Sequence, residues 1–144
     1  MARYTATIHS PLPLEQTFDY MADFSNAAEW DANTVSSECV DGDPGRMGAR
    51  YEVVTEFGGR ELKLAYETTE YKPHERVVLV SGTGMAAIED VMTFREIPEG
   101  TEIKYQATVK PKGLAKIFDP VFGLVFRRVG DRAADSMRKT LQSK

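Results

Sequence analysis

Cysteine, histidine and tryptophan are nearly absent from this chain, at one, two and one residues respectively. A lone thiol, Cys39, excludes an internal disulfide, and two histidines, His9 and His74, are too few for a histidine-built metal centre. No metal and no cofactor is therefore expected. No stretch approaches the ~18 apolar residues that a membrane-crossing helix needs, and residues 1–10 lack the apolar core of a signal peptide. The expectation is a cytoplasmic protein without integral membrane contact. Repeats, linkers and low-complexity segments are missing too, which leaves residues 1–144 to be read as one domain.

What remains is ordinary for a globule: 42% hydrophobic and 28% charged residues, with a net charge of −4. The charge is unevenly placed. Six basic and two acidic residues follow from Arg127 onward, against 12 and 20 before it, so a tail of +4 sits on a body of −8. A basic helix can suit nucleic acid or a membrane surface. Here acids are interleaved with the bases, and cations near a helix C-terminus are favoured by its dipole, so no nucleic-acid partner is expected.

The basic tail belongs to the most strongly patterned stretch, 119–141. Asp119-Pro120 is a helix-start dipeptide, although a helix running from Gly113 with a kink at Pro120 is an alternative. Phe122, Val125, Phe126, Val129, Ala133, Met137 and Leu141 share one arc at 100° per residue. Arg127, Arg128, Asp131, Arg132, Asp135, Arg138 and Lys139 fill the other. The spacing predicts ion pairs from Arg127 to Asp131 and from Asp135 to Lys139. Val121 and Leu124 break the charged arc, and this predicts exposure, a cavity mouth or a dimer contact for both. Such a helix, about 30 Å long, needs a broad apolar surface to lie on.

The rest of the chain supplies it. Tyr4, Ala6 and Ile8 alternate with polar residues as a strand does. Ser10-Pro11-Leu12-Pro13 ends that strand, and Leu14, Phe18, Met21 and Ala22 recur at helical spacing. A second short helix is predicted from Ser25, as N-cap, to Trp30. Strands follow at 34–40, 49–57, 60–71, 76–81, 86–96 and 101–109, separated by Gly- and Pro-rich turns, with Gly58-Gly59 as a hairpin connection. Tyr51, Val53, Thr55 and Phe57 form one face, with Leu62, Leu64 and Tyr66 on the next strand and Ile103, Tyr105, Ala107 and Val109 on the last. Glutamates, lysines and Arg50 take the other face. The predicted fold class is α+β: a seven-stranded curved antiparallel sheet wrapped around a long C-terminal helix, with two short helices after the first strand.

That element order is the helix-grip arrangement, and scattered residues agree with it. They are Ser10-Pro11 before a helix containing Phe18, Asp23 followed by Trp30, the Tyr71-Lys72-Pro73 turn, the Gly100-Thr101 lead-in to the last strand, and Leu141 closing the helix. The chain resembles the START-like SRPBCC superfamily, specifically its polyketide cyclase/dehydrase and lipid-transport group. The resemblance implies an apolar or aromatic small molecule held between sheet and helix, and in some members cyclisation or dehydration of polyketides. It supplies no family-wide catalytic motif.

Candidate site residues are those aimed inward. Tyr51, Tyr66 and Tyr105 offer rings to a ligand and hydroxyls to its carbonyl or enolate, the plainer alternative being core tyrosines bonded to backbone. Asp90 alternates with the apolar Ile88, Met92 and Phe94, which places a carboxylate in an apolar interior where desolvation raises its pKa. Asp90 and Tyr66 are the candidate catalytic pair. Trp30, Tyr51, Leu64, Tyr66, Met92, Tyr105, Phe122 and Phe126 are the candidate ligand-binding set. His9 and His74 read as surface residues and Cys39 as a small strand residue. Gly82-Thr83-Gly84-Met85-Ala86-Ala87 matches G-x-G-x-x-A as text but precedes a strand, not the helix a dinucleotide site needs. The leading function is binding of a hydrophobic small molecule, lipid or polyketide-like, by a monomer or homodimer. One alternative is a cyclase/dehydratase-type lyase or isomerase using Asp90 and tyrosines. Another is a protein-interaction module using the last helix.

Overall fold

The computed structural model describes residues 2–57, 59–82, 86–111 and 119–144, with side chains for 3–57, 59–82, 86–110 and 124–144. The expectations for Val121 and Phe122, for Gly58 and Gly82 to Gly84 as turns, and for a helix running from Gly113 lie wholly or partly outside these residues. Seven strands form one antiparallel sheet: β1 (Ala2–Ser10), β2 (Thr34–Asp41), β3 (Arg50–Phe57), β4 (Arg60–Lys72), β5 (Arg76–Gly82), β6 (Ala86–Ile97) and β7 (Gly100–Pro111). Their spatial order is β1-β7-β6-β5-β4-β3-β2. Every neighbour from β2 to β7 is consecutive in sequence, and the two short helices that separate β1 from β2 let β1 pair with β7 at the opposite edge. They are α1 (Leu14–Ala22) and α2 (Ala27–Trp30), joined by a 3₁₀ turn at Phe24–Asn26; the long α3 (Asp119–Gln142) closes the order.

Period-two burial organises the sheet as the sequence predicts. Across it, inward positions line up in rows: Tyr51, Tyr66, Ser81, Ile88 and Val109 form one, and Thr68, Leu79, Asp90, Ala107 and Tyr4 the next. The alternation breaks once in β4. Thr68 faces Leu79 but Glu70 faces Val78, so Thr69 is an extra residue and the strand turns over there. Tyr71 is thereby returned to the inner side, where its ring centroid lies 5.6 Å from that of Phe18. Leu62 departs from the expected pattern and is 42% exposed. The outer face carries cross-strand ion pairs such as Arg50 with Glu67 at 3.3 Å and Arg95 with Glu102 at 3.1 Å.

β2 is irregular, with register shifts between Thr34 and Ser36 and again between Cys39 and Asp41. Its Val35 and Val40 are exposed. The thiol of Cys39 is half-buried and points at the carbonyl of Asp41, 3.4 Å away.

The helices seal the concave side. On α1, Thr17, Phe18, Met21 and Ala22 are buried. Phe18 packs its ring 5.0 Å from Phe94 and 5.6 Å from His74, so His74 is half-buried against an aromatic rather than free on the surface. Asp23, not Ser25, caps the 3₁₀ turn: its Oδ1 accepts from the Ser25 amide at 3.1 Å and from the Ser25 hydroxyl at 2.6 Å. A small polar knot ties α1 to the sheet. Leu12 carbonyl accepts from Thr17 and Thr101 hydroxyls at 3.2 and 2.9 Å, while Ser10 Oγ takes the Leu12 amide at 3.1 Å. Gly100, at φ +140°, sits here because a Cβ would collide with the Ser10 carbonyl oxygen.

Helix α3 is described from Asp119 to Gln142. Phe126, Ala133, Ala134, Met137 and Leu141 are buried, and Leu124 is 57% exposed. The buried arc also includes Gly130, which lets the ring of Tyr4 lie directly against the helix backbone. The predicted i,i+4 pairs are superseded. Asp131 accepts from the Tyr4 hydroxyl at 2.7 Å, and Asp135 pairs with Arg138 at 3.2 Å. Three longer-range bonds hold the helix from outside: Asn33 Nδ2 to the Val129 carbonyl at 2.8 Å, Arg138 to the Thr7 carbonyl at 3.2 Å, and Thr140 to the Glu29 carbonyl at 3.0 Å.

Candidate functional site

The rings inside the sheet converge on Phe24. Its centroid lies 4.9 Å from Tyr66 and 5.9 Å from both Trp30 and Tyr51, and Trp30 in turn faces Tyr105 at 6.2 Å. Phe24 escaped the sequence reading because a residue just before a predicted short helix has no period to betray it. Leu64, Met92 and Phe126 are buried in the same core. Phe122 lies outside the described side chains.

The polar groups within this apolar wall differ in whether they are satisfied. The Tyr51 hydroxyl accepts the Gly45 amide at 2.8 Å, so it takes the plainer of its two readings and braces the β2–β3 turn. Asp31, which the sequence reading passed over, is half-buried beside Trp30. Its Oδ1 accepts from the Asn33 amide at 2.9 Å and its Oδ2 from the Thr34 hydroxyl at 3.2 Å. The Asp31-x-Asn33 spacing of an Asx turn could have revealed it. Burial pushes the Asp31 pKa up, and those hydrogen bonds pull against it.

Asp90, Tyr66 and Tyr105 are not satisfied in this way. Asp90 is 5% exposed, on the inner face of β6 as the alternation predicts, opposite Leu79 on one side and Ala107 on the other. Among the described residues none donates a hydrogen bond to its carboxyl. Burial, then the like charges of Asp31 and Glu89, raise its pKa to about 7. Tyr66 and Tyr105 are 7% and 6% exposed, also without a hydrogen-bonded side chain or amide among the described residues. Burial and then the field of Asp90 push both phenols well above their ordinary value, so they remain protonated donors. Three further buried polar atoms, Trp30 Nε1, Thr68 Oγ1 and Ser81 Oγ, have no partner among the described residues. Ser81 is directly opposite Tyr66.

Chemically, this is a carboxyl that exchanges its proton near neutrality, flanked by phenols that can donate to a carbonyl or enolate oxygen. No grouping among the described residues could hold a metal ion. No described helix is long and apolar enough to cross a membrane. A hollow of about 510 Å³ bordered by Thr93, Phe94, Arg95, Glu102 and Lys104 opens at β6 and β7, and Asp90 is not among its lining residues.

A curved antiparallel sheet gripping one long helix, with aromatic rings and a few polar groups between them, defines the START-like SRPBCC class. The chain belongs to the polyketide cyclase/dehydrase and lipid transport family, whose sequence profile matches residues 1–142. A search of curated protein sequences gave no match. Among solved structures, TTHA0849 from Thermus thermophilus superposes with a TM-score of 0.77 at 16% identity, covering 97% of this chain and 95% of that one. The Zhui aromatase/cyclase from Streptomyces sp. R1128 superposes with a TM-score of 0.75 at 8% identity, over 97% and 89% of the two chains. The di-domain aromatase/cyclase BexL gives 0.73 at 15% identity, over 99% of this chain and 50% of that one. At such identities these likenesses establish the fold and leave activity to the residues.

Proposed function

We propose that residues 1–144 act as one binding domain for a hydrophobic or aromatic small molecule, lipid or polyketide-like, held between the sheet and α3. The observation that carries this reading is the set of three inward polar groups, Asp90, Tyr66 and Tyr105, that find no hydrogen-bond partner among the described residues. A buried polar group without a partner costs on the order of 1–3 kcal/mol. A ligand bearing oxygen functions would offset that cost by bonding to them, while the rings around Phe24 supply apolar contact. Nile red, a neutral apolar dye, tests the reading. Saturable, blue-shifted fluorescence that is lost in Met92→Arg is expected, and an unchanged spectrum in the presence of folded protein would overturn it.

A second reading is favoured by one feature, the near-neutral Asp90 carboxyl beside two protonated phenols. In that reading the protein is a cyclase/dehydratase-type enzyme. Asp90 moves a proton at a carbon next to a ligand carbonyl, and Tyr66 and Tyr105 stabilise the oxygen that becomes negative. Likeness in fold to an aromatase/cyclase is compatible with this and does not carry it. With a poly-β-ketone substrate, Asp90→Asn is expected to lower turnover by about 10²-fold or more while Nile red still binds.

A further inference from the structure

We propose that the interior accepts uncharged or cationic apolar ligands and rejects carboxylates, free fatty acids included, because the Asp90 carboxyl already occupies the place on the concave face where an acidic headgroup would be buried. This selectivity rests on the ligand-binding reading above and narrows it.

The distribution of charge carries the inference. Inside the sheet the described ionisable groups are one carboxyl and tyrosines, with the Asp31 carboxyl at the edge. No described lysine, arginine or histidine joins them. Every described lysine and arginine is exposed except Arg76 and Arg138, and these two are paired with Glu70 at 3.1 Å and Asp135 at 3.2 Å. His9 is exposed beside Glu102, and His74 lies at the far end of the core against Phe18. Only the exposed Arg132 offsets part of the charge on Asp31 among the causes that act on it. A carboxylate entering this space would shed its water, meet no counter-charge among the described residues and face a second acid.

The two acids are not equivalent. Both oxygens of Asp31 already accept bonds from Asn33 and Thr34, so it contributes field but little capacity to bind. Asp90 has its acceptor positions free among the described residues. A ligand hydroxyl can donate to Asp90 while a neighbouring carbonyl accepts from Tyr66 or Tyr105. An ammonium can pair with Asp90, whose carboxyl no described cation meets. A carboxylate can accept from the phenols but has no proton to give Asp90 and no positive charge to pair with it.

Three naphthalenes of matched size separate these cases by isothermal titration calorimetry at about pH 8: 2-naphthalenemethanol, 2-naphthylmethylamine as its ammonium, and 2-naphthoate. The acid is expected to bind at least roughly tenfold more weakly than the alcohol, and the ammonium as well as the alcohol or better. In Asp90→Asn, checked for folding by its thermal transition, the acid should come within about threefold of the alcohol and the ammonium should weaken by roughly tenfold. Naphthoate binding as tightly as the alcohol to the wild-type protein, or a tenfold gap that survives Asp90→Asn, overturns the inference. Silence from all three ligands together with no Nile red signal overturns the binding reading itself, and this inference falls with it.

Discussion

The ring of Tyr4 lies flat against the backbone of α3 at Gly130, and its hydroxyl reaches past that contact to Asp131, 2.7 Å away. One strand residue thus uses both its apolar body and its polar tip to fix the helix that the sheet grips. Burial first, and the bond to Asp131 second, raise the phenol to a pKa of about 12. Gly130→Ala should drive the ring out, breaking that bond, with a net loss of about 1–2 kcal/mol despite the better helix propensity of alanine. In a Tyr4→Ala background the same change should be neutral or stabilising. Urea unfolding of the four proteins in this cycle measures the coupling, and additive effects would mean that the two residues do not compete for space.

The Asp90 carboxyl makes stability depend on pH in a sense opposite to most acids. It ionises near 7 in the folded chain against 3.8 for an ordinary aspartate, so between those values the folded state holds a proton that the unfolded state has released. Stability from this group is therefore complete below the lower value and is lost as pH rises to the upper one. Asp90→Asn carries no such charge. It should gain on the wild type by a few kcal/mol, on the order of 1.4 per pKa unit, at pH 8.5 and show little gain near pH 4. Melting temperatures of both proteins across that range check this. A gain that is the same at every pH would place the carboxyl in water.

Tyr51, Tyr66 and Tyr105 should respond differently to loss of the hydroxyl. Tyr51→Phe leaves the Gly45 amide without its acceptor and should cost about 1 kcal/mol. Tyr66→Phe and Tyr105→Phe remove hydroxyls that bond nothing among the described residues, so their stability should change by less than about 0.5 kcal/mol or rise. Any loss of Nile red affinity in the latter two would then be a ligand effect, separable from folding by denaturant titration.

At Gly100 a side chain has no place to go. Its φ of +140° is a region that other residues rarely adopt, and a Cβ would meet the Ser10 carbonyl. Gly100→Ala is expected to cost at least about 2 kcal/mol and to lower soluble yield. A melting point within a degree of wild type would show that the β1–α1 turn can shift.

The course of the strands was readable from sequence because half-buried antiparallel strands alternate and each turn carries its own residues. Asp90 was readable for the same reason: one acid in phase with Ile88, Met92 and Phe94 stands out. What escaped lay where no period applies or where a period breaks. The extra residue at Thr69 turned Tyr71 inward, and Phe24 and Asp31 sit in short turns; Thr68 and Ser81 are in phase with Tyr66 and Leu79, but small hydroxyl residues do not by themselves mark an inner face. The positive-φ turn at His74 likewise presents its ring to Phe18, a contact that depends on α1 folding back over the sheet. Whether the Tyr51 hydroxyl faced a ligand or a backbone amide was equally beyond sequence, since both settings suit the same inward position.

The breaks in β2 matter to the life of the chain in a crowded solution. β2 and β1 are the two edges of the sheet, and an edge strand offers unpaired amides and carbonyls to any extended segment that meets it. Two interruptions within eight residues, together with exposed Glu38 and Asp41, deny a visiting strand the straight, uncharged ladder it needs. The exposed Val35 and Val40 along that margin are thus kept from seeding fibrous self-association by backbone geometry rather than by cover.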